Sequence, residues 1–145
     1  MNKGDDIDIL ARTIYGEARG ENRSGKIAVA NVVMNRIKFR KQAGYKIVNG
    51  HRLLSVAETC LKPFQFSCWL DSDANKKVIE TVGADNAVYR ECLAIASDAV
   101  RQRLVDVTYG ATHYYNPQGC SCPSFAKGKT PCVIIGNHYF FNDIE

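Results

Sequence analysis

Residues 27–37 are apolar almost all the way round a helical wheel, with Asn31 and Asn35 making a narrow polar strip one turn apart. A helix of that kind is buried on most sides. It falls well short of the roughly 20 apolar residues that span a bilayer, and no longer apolar stretch exists elsewhere in the chain, so stable membrane insertion is not expected. The rest of the chain therefore has to wrap it. A length of 145 residues suits one such core, because single cores serve chains of about 100 to 200 residues. With 46% hydrophobic and 23% charged residues, the composition is neither disordered nor collagen-like. The expectation is one domain, residues 1–145, with no linker or internal repeat.

Helical spacing dominates the first two thirds. Asp5 and Asp6 precede Ile7, Leu10, Ala11, Ile14 and Ala18, an i, i+3, i+4 stripe with acidic residues at the positive end of the helix dipole. Gly20 and Gly25 bracket a polar turn before the central helix. Residues 38–54 are basic and read as irregular. Ser55 and Glu58 form a capping box for a short helix that Pro63 ends. Residues 64–72 read as an aromatic loop, Asp73 and Asp85 as helix caps, and Val88, Cys92, Ile95 and Ala99 as a buried stripe. Beyond Leu104 the texture changes. Residues 108–116, 133–135 and 138–141 are β-branched and aromatic runs cut by Gly, Pro and Asn. The fold class expected is α+β: four or five helices and a small, loop-rich C-terminal β portion.

Glu17 lies three residues after Ile14 and seven after Leu10, on the stripe that faces the core. Burial there disfavours the ionised carboxylate and suits a general acid that keeps its proton near neutrality; an early helix end, with the side chain reaching water, explains the position equally well. Glu21 follows Gly20 and reads as a solvated turn residue. Buried amides need partners, so Asn31 and Asn35 bond either to the protein or to a bound sugar. Phe66 and Trp69, like Tyr114, Tyr115 and Asn116, could stack on sugar rings and bond their hydroxyls, or could be core.

The six cysteines and three histidines offer rival chemistries. Cys68 or Cys132 with His113 or His138 could pair a thiol nucleophile with a base, without a local signature to support it. Cys120, Cys122 and Cys132 with His113 depart from paired zinc-ligand spacing, so a disulfide among the three is the simpler expectation. No catalytic metal and no cofactor is expected. Residues 1–6 hold one lysine and no apolar stretch, so no secretory signal is read and synthesis in the cytoplasm is expected. A net charge of +4 does not call for a nucleic-acid partner, and an anionic polymer fits it.

As a set, residues 10–21 (LARTIYGEARGE), 25–36 (GKIAVANVVMNR), 66–69 (FSCW), 110–117 (GATHYYNP) and 135–140 (IGNHYF) resemble the SleB-type cell wall hydrolase family in order and spacing. The resemblance implies a lysozyme-like, lytic-transglycosylase-like body and cleavage of the MurNAc-GlcNAc β-1,4 bond of peptidoglycan glycan strands. It implies that the catalytic glutamate is Glu17; Tyr114, Tyr115, Asn116, Phe66, Trp69, Asn31 and Asn35 are the substrate-binding candidates beside it. A monomer acting at the wall after release, like a phage lysin waiting for a holin, is the form expected. The cysteine-rich segment 119–132 departs from the family pattern.

Hydrolytic glycosidases use two carboxylates, and only Glu17 stands out. A lytic transglycosylase uses one residue as acid and then base, closing a 1,6-anhydro ring on MurNAc. The alternatives are a hydrolytic muramidase using Asp71 or Asp73, a peptidoglycan-binding module without activity, and a thiol or zinc peptidase acting on stem peptides.

Overall fold

A computed structural model describes residues 3–145 of the chain. Helix α1 (Lys3–Ala18) carries Asp5 and Asp6 in its first turn. Its inner stripe of Leu10, Ala11, Ile14 and Ala18 is shut away from solvent. The polar turn ends at Asn22, whose side chain accepts from the Gly25 N–H and caps α2 (Arg23–Phe39). Lys38 stands in the last turn of α2, where a cation suits the helix dipole.

α2 is the central element that its composition demands. Val29, Ala30 and Val33 join the main core with Leu10, Ile14, Ile79 and Ile95. On its other side Ala28 and Val32 pack with Ala111 and Phe140. One helix thus separates a helical body from a small sheet.

The capping signals hold locally. Ser55 accepts from the Glu58 N–H to open α3 (Val56–Leu61), and Asp73 accepts from the Asn75 N–H to open α4 (Ala74–Thr81). The cap of α5 (Ala87–Val100) is Asn86, one residue after the expected Asp85. α5 lies along α1 and buries Cys92 and Ile95. Between α3 and α4 the aromatic segment tightens into a 3-10 turn, Ser67–Trp69, where the Trp69 indole donates to Thr13 Oγ1 at 2.9 Å.

Residues 38–54 are not irregular throughout. They hold a hairpin of β1 (Gly44–Val48) and β2 (His51–Ser55), with Val48 opposite His51 across Asn49-Gly50. Asn-Gly is a strong two-residue hairpin turn. The alternation of apolar residues that normally betrays a strand is missing because Ile47 and Leu53 are exposed.

The C-terminal runs form a three-stranded antiparallel sheet in the order β3 (His113–Tyr115), β5 (His138–Phe141), β4 (Val133–Ile135). Tyr114 pairs with Phe140, and His138 with Ile135. The architecture is α+β, and no helix among the described residues is long and apolar enough to cross a membrane.

Candidate active site

The C-terminal turn of α1 meets the 3-10 turn at Gly16. A Cβ there would stand 2.7 Å from Cys68 Cβ and 2.9 Å from its sulfur, closer than packed atoms tolerate. Glycine lets the two segments touch, and the next residue, Glu17, comes out at the edge of a cleft. From the sheet, Tyr114 reaches back and its hydroxyl donates to Glu17 Oε1 at 2.5 Å. The cleft so formed has a volume of ≈330 Å³. Glu17, Arg36, Gln65 and Ser67 bound it from the helical side; Tyr114, Tyr115, Asn116 and His138 bound it from the sheet, with Gly119 and Cys120 at the lip.

Arg36 projects from α2, almost fully buried. Its Nε donates to the Thr112 carbonyl at 2.8 Å and its Nη1 to Gln65 Oε1 at 3.3 Å, while the guanidinium lies over the Phe66 ring. Burial draws its pKa down, and the charge of Glu17 is among the effects opposing that. Arginine starts so high that it stays a cation. Burial, the charge of Glu17 and the hydrogen bond to it push the Tyr114 hydroxyl well above its ordinary range, so it remains a donor. The same burial and the same carboxylate push the Cys68 thiol up, which makes it a poor nucleophile.

His138 is buried at the cleft wall, its ring edge-on to Tyr114 at 5.0 Å between centroids. Desolvation lowers its pKa against the pull of Glu21 and Glu17. Its Nδ1 has no hydrogen-bond partner among the described residues and lies 3.8 Å from Glu21 Oε1. Glu21 is not the solvated turn residue that the sequence suggests. It accepts from the Asn137 backbone N–H and from Asn137 Nδ2, both at 2.9 Å, and the backbone bond leads the effects holding its pKa below the usual range. Gly136 makes this cradle possible, since its φ is +56° and a Cβ would fall 2.3 Å from Glu21 Oε1.

The arrangement sets one carboxylate, oriented by a phenol, on the same wall as a buried cation and across from a buried imidazole. Such a group can give a proton to a bond lying in the cleft and take one back. A depression of ≈420 Å³ under the hairpin, lined by Arg40, Tyr45, Arg52, Leu53 and Leu54, is larger. It contains no group that exchanges protons near neutrality.

Residues 20–141 match the family model described as Cell Wall Hydrolase. The chain belongs to the cell wall hydrolase family. The spore cortex-lytic enzyme of Bacillus subtilis (strain 168) is 29% identical to it over 137 residues, 93% of this chain and 37% of that protein. Its counterpart from Halalkalibacterium halodurans is 29% identical over 139 residues, 94% of this chain and 34% of that protein. The chain therefore spans little more than a third of the length of these curated relatives. Among solved structures, the catalytic domain of the germination-specific lytic transglycosylase SleB from Bacillus anthracis superposes with a TM-score of 0.65 at 24% identity, covering 94% of this chain and 93% of that one. The Bacillus cereus SleB catalytic domain gives 0.66 at 24% identity, covering 94% and 89%. These likenesses show a shared fold. Glu17 lies just ahead of the segment that the family model matches.

Four of the sequence candidates meet at one cleft, namely Glu17, Tyr114, Tyr115 and Asn116. The others do not line it. Asn31 is buried, donating to the Val105 carbonyl at 3.2 Å and accepting from the Val107 N–H at 2.9 Å. Asn35 donates to Asp106 Oδ2 and the Ala111 carbonyl. Their partner is the returning chain, not a sugar. Phe66 is core beneath Arg36, and Trp69 packs on the main core with its N–H spent on Thr13.

Asp71 is exposed and paired with Lys76, while Asp73 caps α4; both line a separate depression. All six cysteines are free, so the disulfide expected among Cys120, Cys122 and Cys132 is not formed. Cys132 instead turns inward to the Thr108 and Phe140 carbonyls, and His113 packs on Phe125. Among the described residues no three His, Cys, Asp or Glu side chains are grouped to hold a metal ion.

Sequence reasoning passes over Arg36, Gln65 and His138 as cleft residues. Arg36 carries a legible signal, a charge inside an otherwise apolar buried helix. Gln65 carries none, and His138 stands out in the sequence only as a possible base for a cysteine, because only the fold brings residues 65 and 138 to one place.

Proposed function

We propose that this chain is a peptidoglycan-degrading glycosidase that cuts the MurNAc-GlcNAc β-1,4 bond as a lytic transglycosylase. The observation that carries the reading is that Glu17 is the one carboxylate among the described residues lining the cleft. Hydrolysis at such a bond uses a second carboxyl about 5 to 9.5 Å from the first, and Asp71 and Asp73 border another depression. The names and folds of the relatives support the same reading.

In the proposed reaction the protonated Glu17 gives its proton to the glycosidic oxygen as the C1–O bond breaks. The charge that develops on the sugar is met by the neighbouring carboxylate and by dipoles of the sheet wall, Tyr114 first. The C6 hydroxyl of the same MurNAc then bonds to C1 and returns its proton to Glu17. The ring closes without water. An internal hydroxyl in position can act at an effective concentration of about 10⁵ M or more, which favours it over bulk water. The cation of Arg36 favours the carboxylate that Glu17 becomes once its proton is given up, and a net charge of +4 draws the chain to an anionic wall.

Mass spectrometry of fragments released from purified sacculi tests this. The expected ends are 1,6-anhydroMurNAc, about 18 mass units lighter than hydrolysed ends by one water, and inert to borohydride. Glu17→Gln keeps the shape but has no proton to transfer, so lysis should fall by at least about 10²-fold with an unchanged melting curve. Reducible ends of full mass would replace the transglycosylase with a muramidase. Cuts confined to stem peptides would end the glycosidase reading.

A further inference from the structure

Beside the cleft, the segment that leads from α3 to the 3-10 turn turns Phe66 inward and Phe64 outward. At 83% exposed, Phe64 is the most exposed large apolar side chain among the described residues. It is also strained. Residues 62–65 form a reverse turn closed by the Gln65 N–H on the Lys62 carbonyl at 3.2 Å, with Pro63 second and Phe64 third. Phe64 takes a φ of +63°, a conformation that such turns normally give to glycine or asparagine and that is an outlier for a bulky side chain. Buried Cys60 on one side and buried Phe66 on the other pin the turn. The ring gains nothing from packing to offset the strain, and strain of this kind gathers at ligand contacts.

The position of the ring connects it to the cleft. Gln65, the next residue, and Ser67 both line the cleft, and Gln65 is tied to Arg36. At ≈330 Å³ the cleft is at the small end of ligand pockets, which run from about 300 to 1,000 Å³. A polymer held there has to leave over the rim. Phe64 directly precedes Gln65, one of the residues bounding the cleft on its helical side, and pyranose rings present apolar C–H faces that pack flat on aromatic faces.

We propose that Phe64 is a stacking platform for a sugar ring of the glycan strand, outside the sugars that flank the cut bond. The assignment rests on the glycosidase reading above and adds to it where the strand runs. The aromatic role expected of Phe66 and Trp69 thus passes to their exposed neighbour. Phe64 is a binding residue, remote from the proton transfer, and its loss acts on KM and leaves kcat alone.

The test uses the full chain, with sacculi and with glycan fragments of graded length prepared from them. Phe64→Ala should raise KM for long fragments about tenfold, as expected when one stacked face is lost, with kcat within about twofold of wild type. On the shortest cleavable fragments the two proteins should be alike. Phe64→Trp should restore the long-fragment KM. Phe64→Gly should share the high KM and melt at a higher temperature than wild type, because glycine adopts the turn freely. A purely structural role would move stability in the opposite direction. An unchanged KM in Phe64→Ala and Phe64→Gly, or a loss equal on short and long fragments, would overturn the platform while the glycosidase reading stood. A wild type that releases no glycan fragments would overturn both.

Discussion

On the helical side of the cleft, Glu17 and Arg36 project from helices whose inner faces are closed to water; Leu10, Ile14, Val29 and Val33 have no exposed surface. On the sheet side, Tyr114 and His138 project from strands of three and four residues. Behind those strands lie two small clusters, built on Phe140 and on Phe141, and Tyr114 alone of their residues also reaches the edge of the main core. Ring contacts do much of the holding there, among Tyr114, His138 and Phe140 and among Tyr115, Phe125 and Phe141. One wall is fixed by a deep core and the other by a thin aromatic layer. The lesson is a division of labour: the carboxylate sits on the thick side, and the hydroxyl that orients it sits on the thin side.

The sharpest test of that division is Tyr114→Phe. It removes the O–H that orients Glu17 and keeps the ring contacts with His138 and Phe140. Lysis of sacculi should drop about tenfold, the loss of one hydrogen bond to a charged group, with KM little changed. A fall as deep as that of Glu17→Gln would put essential chemistry on the sheet wall and break the comparison.

Acid should loosen the thin wall first. His113 begins β3, buried against Phe125 at 5.0 Å, and desolvation, with the charges of Arg36 and Lys41, lowers its pKa from 6.5 to about 4. The folded form refuses a proton that the unfolded chain accepts. Stability is therefore complete above the unfolded value and declines as pH falls from 6.5 to 4, at up to about 1.4 kcal/mol per pH unit. His138 is shifted the same way. Melts at stepped pH check the decline, and His113→Gln should flatten it. Hydrogen exchange at pH 5 should show the amides of β3–β5 opening ahead of those of α1. Equal opening of both would mean that the walls are one unit.

The smallest effect is expected in the loop between β3 and β4. Cys122 is exposed, its thiol facing the Pro123 carbonyl and the side chain of Tyr115. Cys122→Ser should shift stability by less than about 0.5 kcal/mol. A larger loss under oxidising conditions alone, with an S–S bond found by mass spectrometry, would show that the thin wall is stapled.

The same contrast explains what could be read from the sequence. The helical side was legible because each helix declares itself locally: the apolar stripe of α1, the caps Ser55 and Asp73, and the buried Cys92 all lie within a few residues of what they control. Glu17 was legible as an intrusion on such a stripe. Asn31 and Asn35 read as substrate-binding candidates because buried amides need partners, but the partners lie at 105–111 of the chain itself, where no local rule reaches them. The hairpin at 44–55 was missed because its exposed Ile47 and Leu53 erase the alternating pattern, although Asn49-Gly50 marks the turn. Glu21 looked solvated because its cradle, Gly136 and Asn137, is more than a hundred residues away in the chain.

The clamp between α2 and the returning chain has a kinetic side. Asn31 and Asn35 bond to residues 71 to 76 positions later, so the loop they close is long and its closure costs entropy before any sheet contact repays it. Helices α1, α2 and α5 can associate through their own faces without those bonds. The order that follows has the helical body assembling early and the sheet docking last, and it leaves Glu17 without the hydroxyl of Tyr114 until the final step. During synthesis Glu17 is present long before Tyr114 can reach it, and the cleft is complete only when residues 105–141 have folded onto α2.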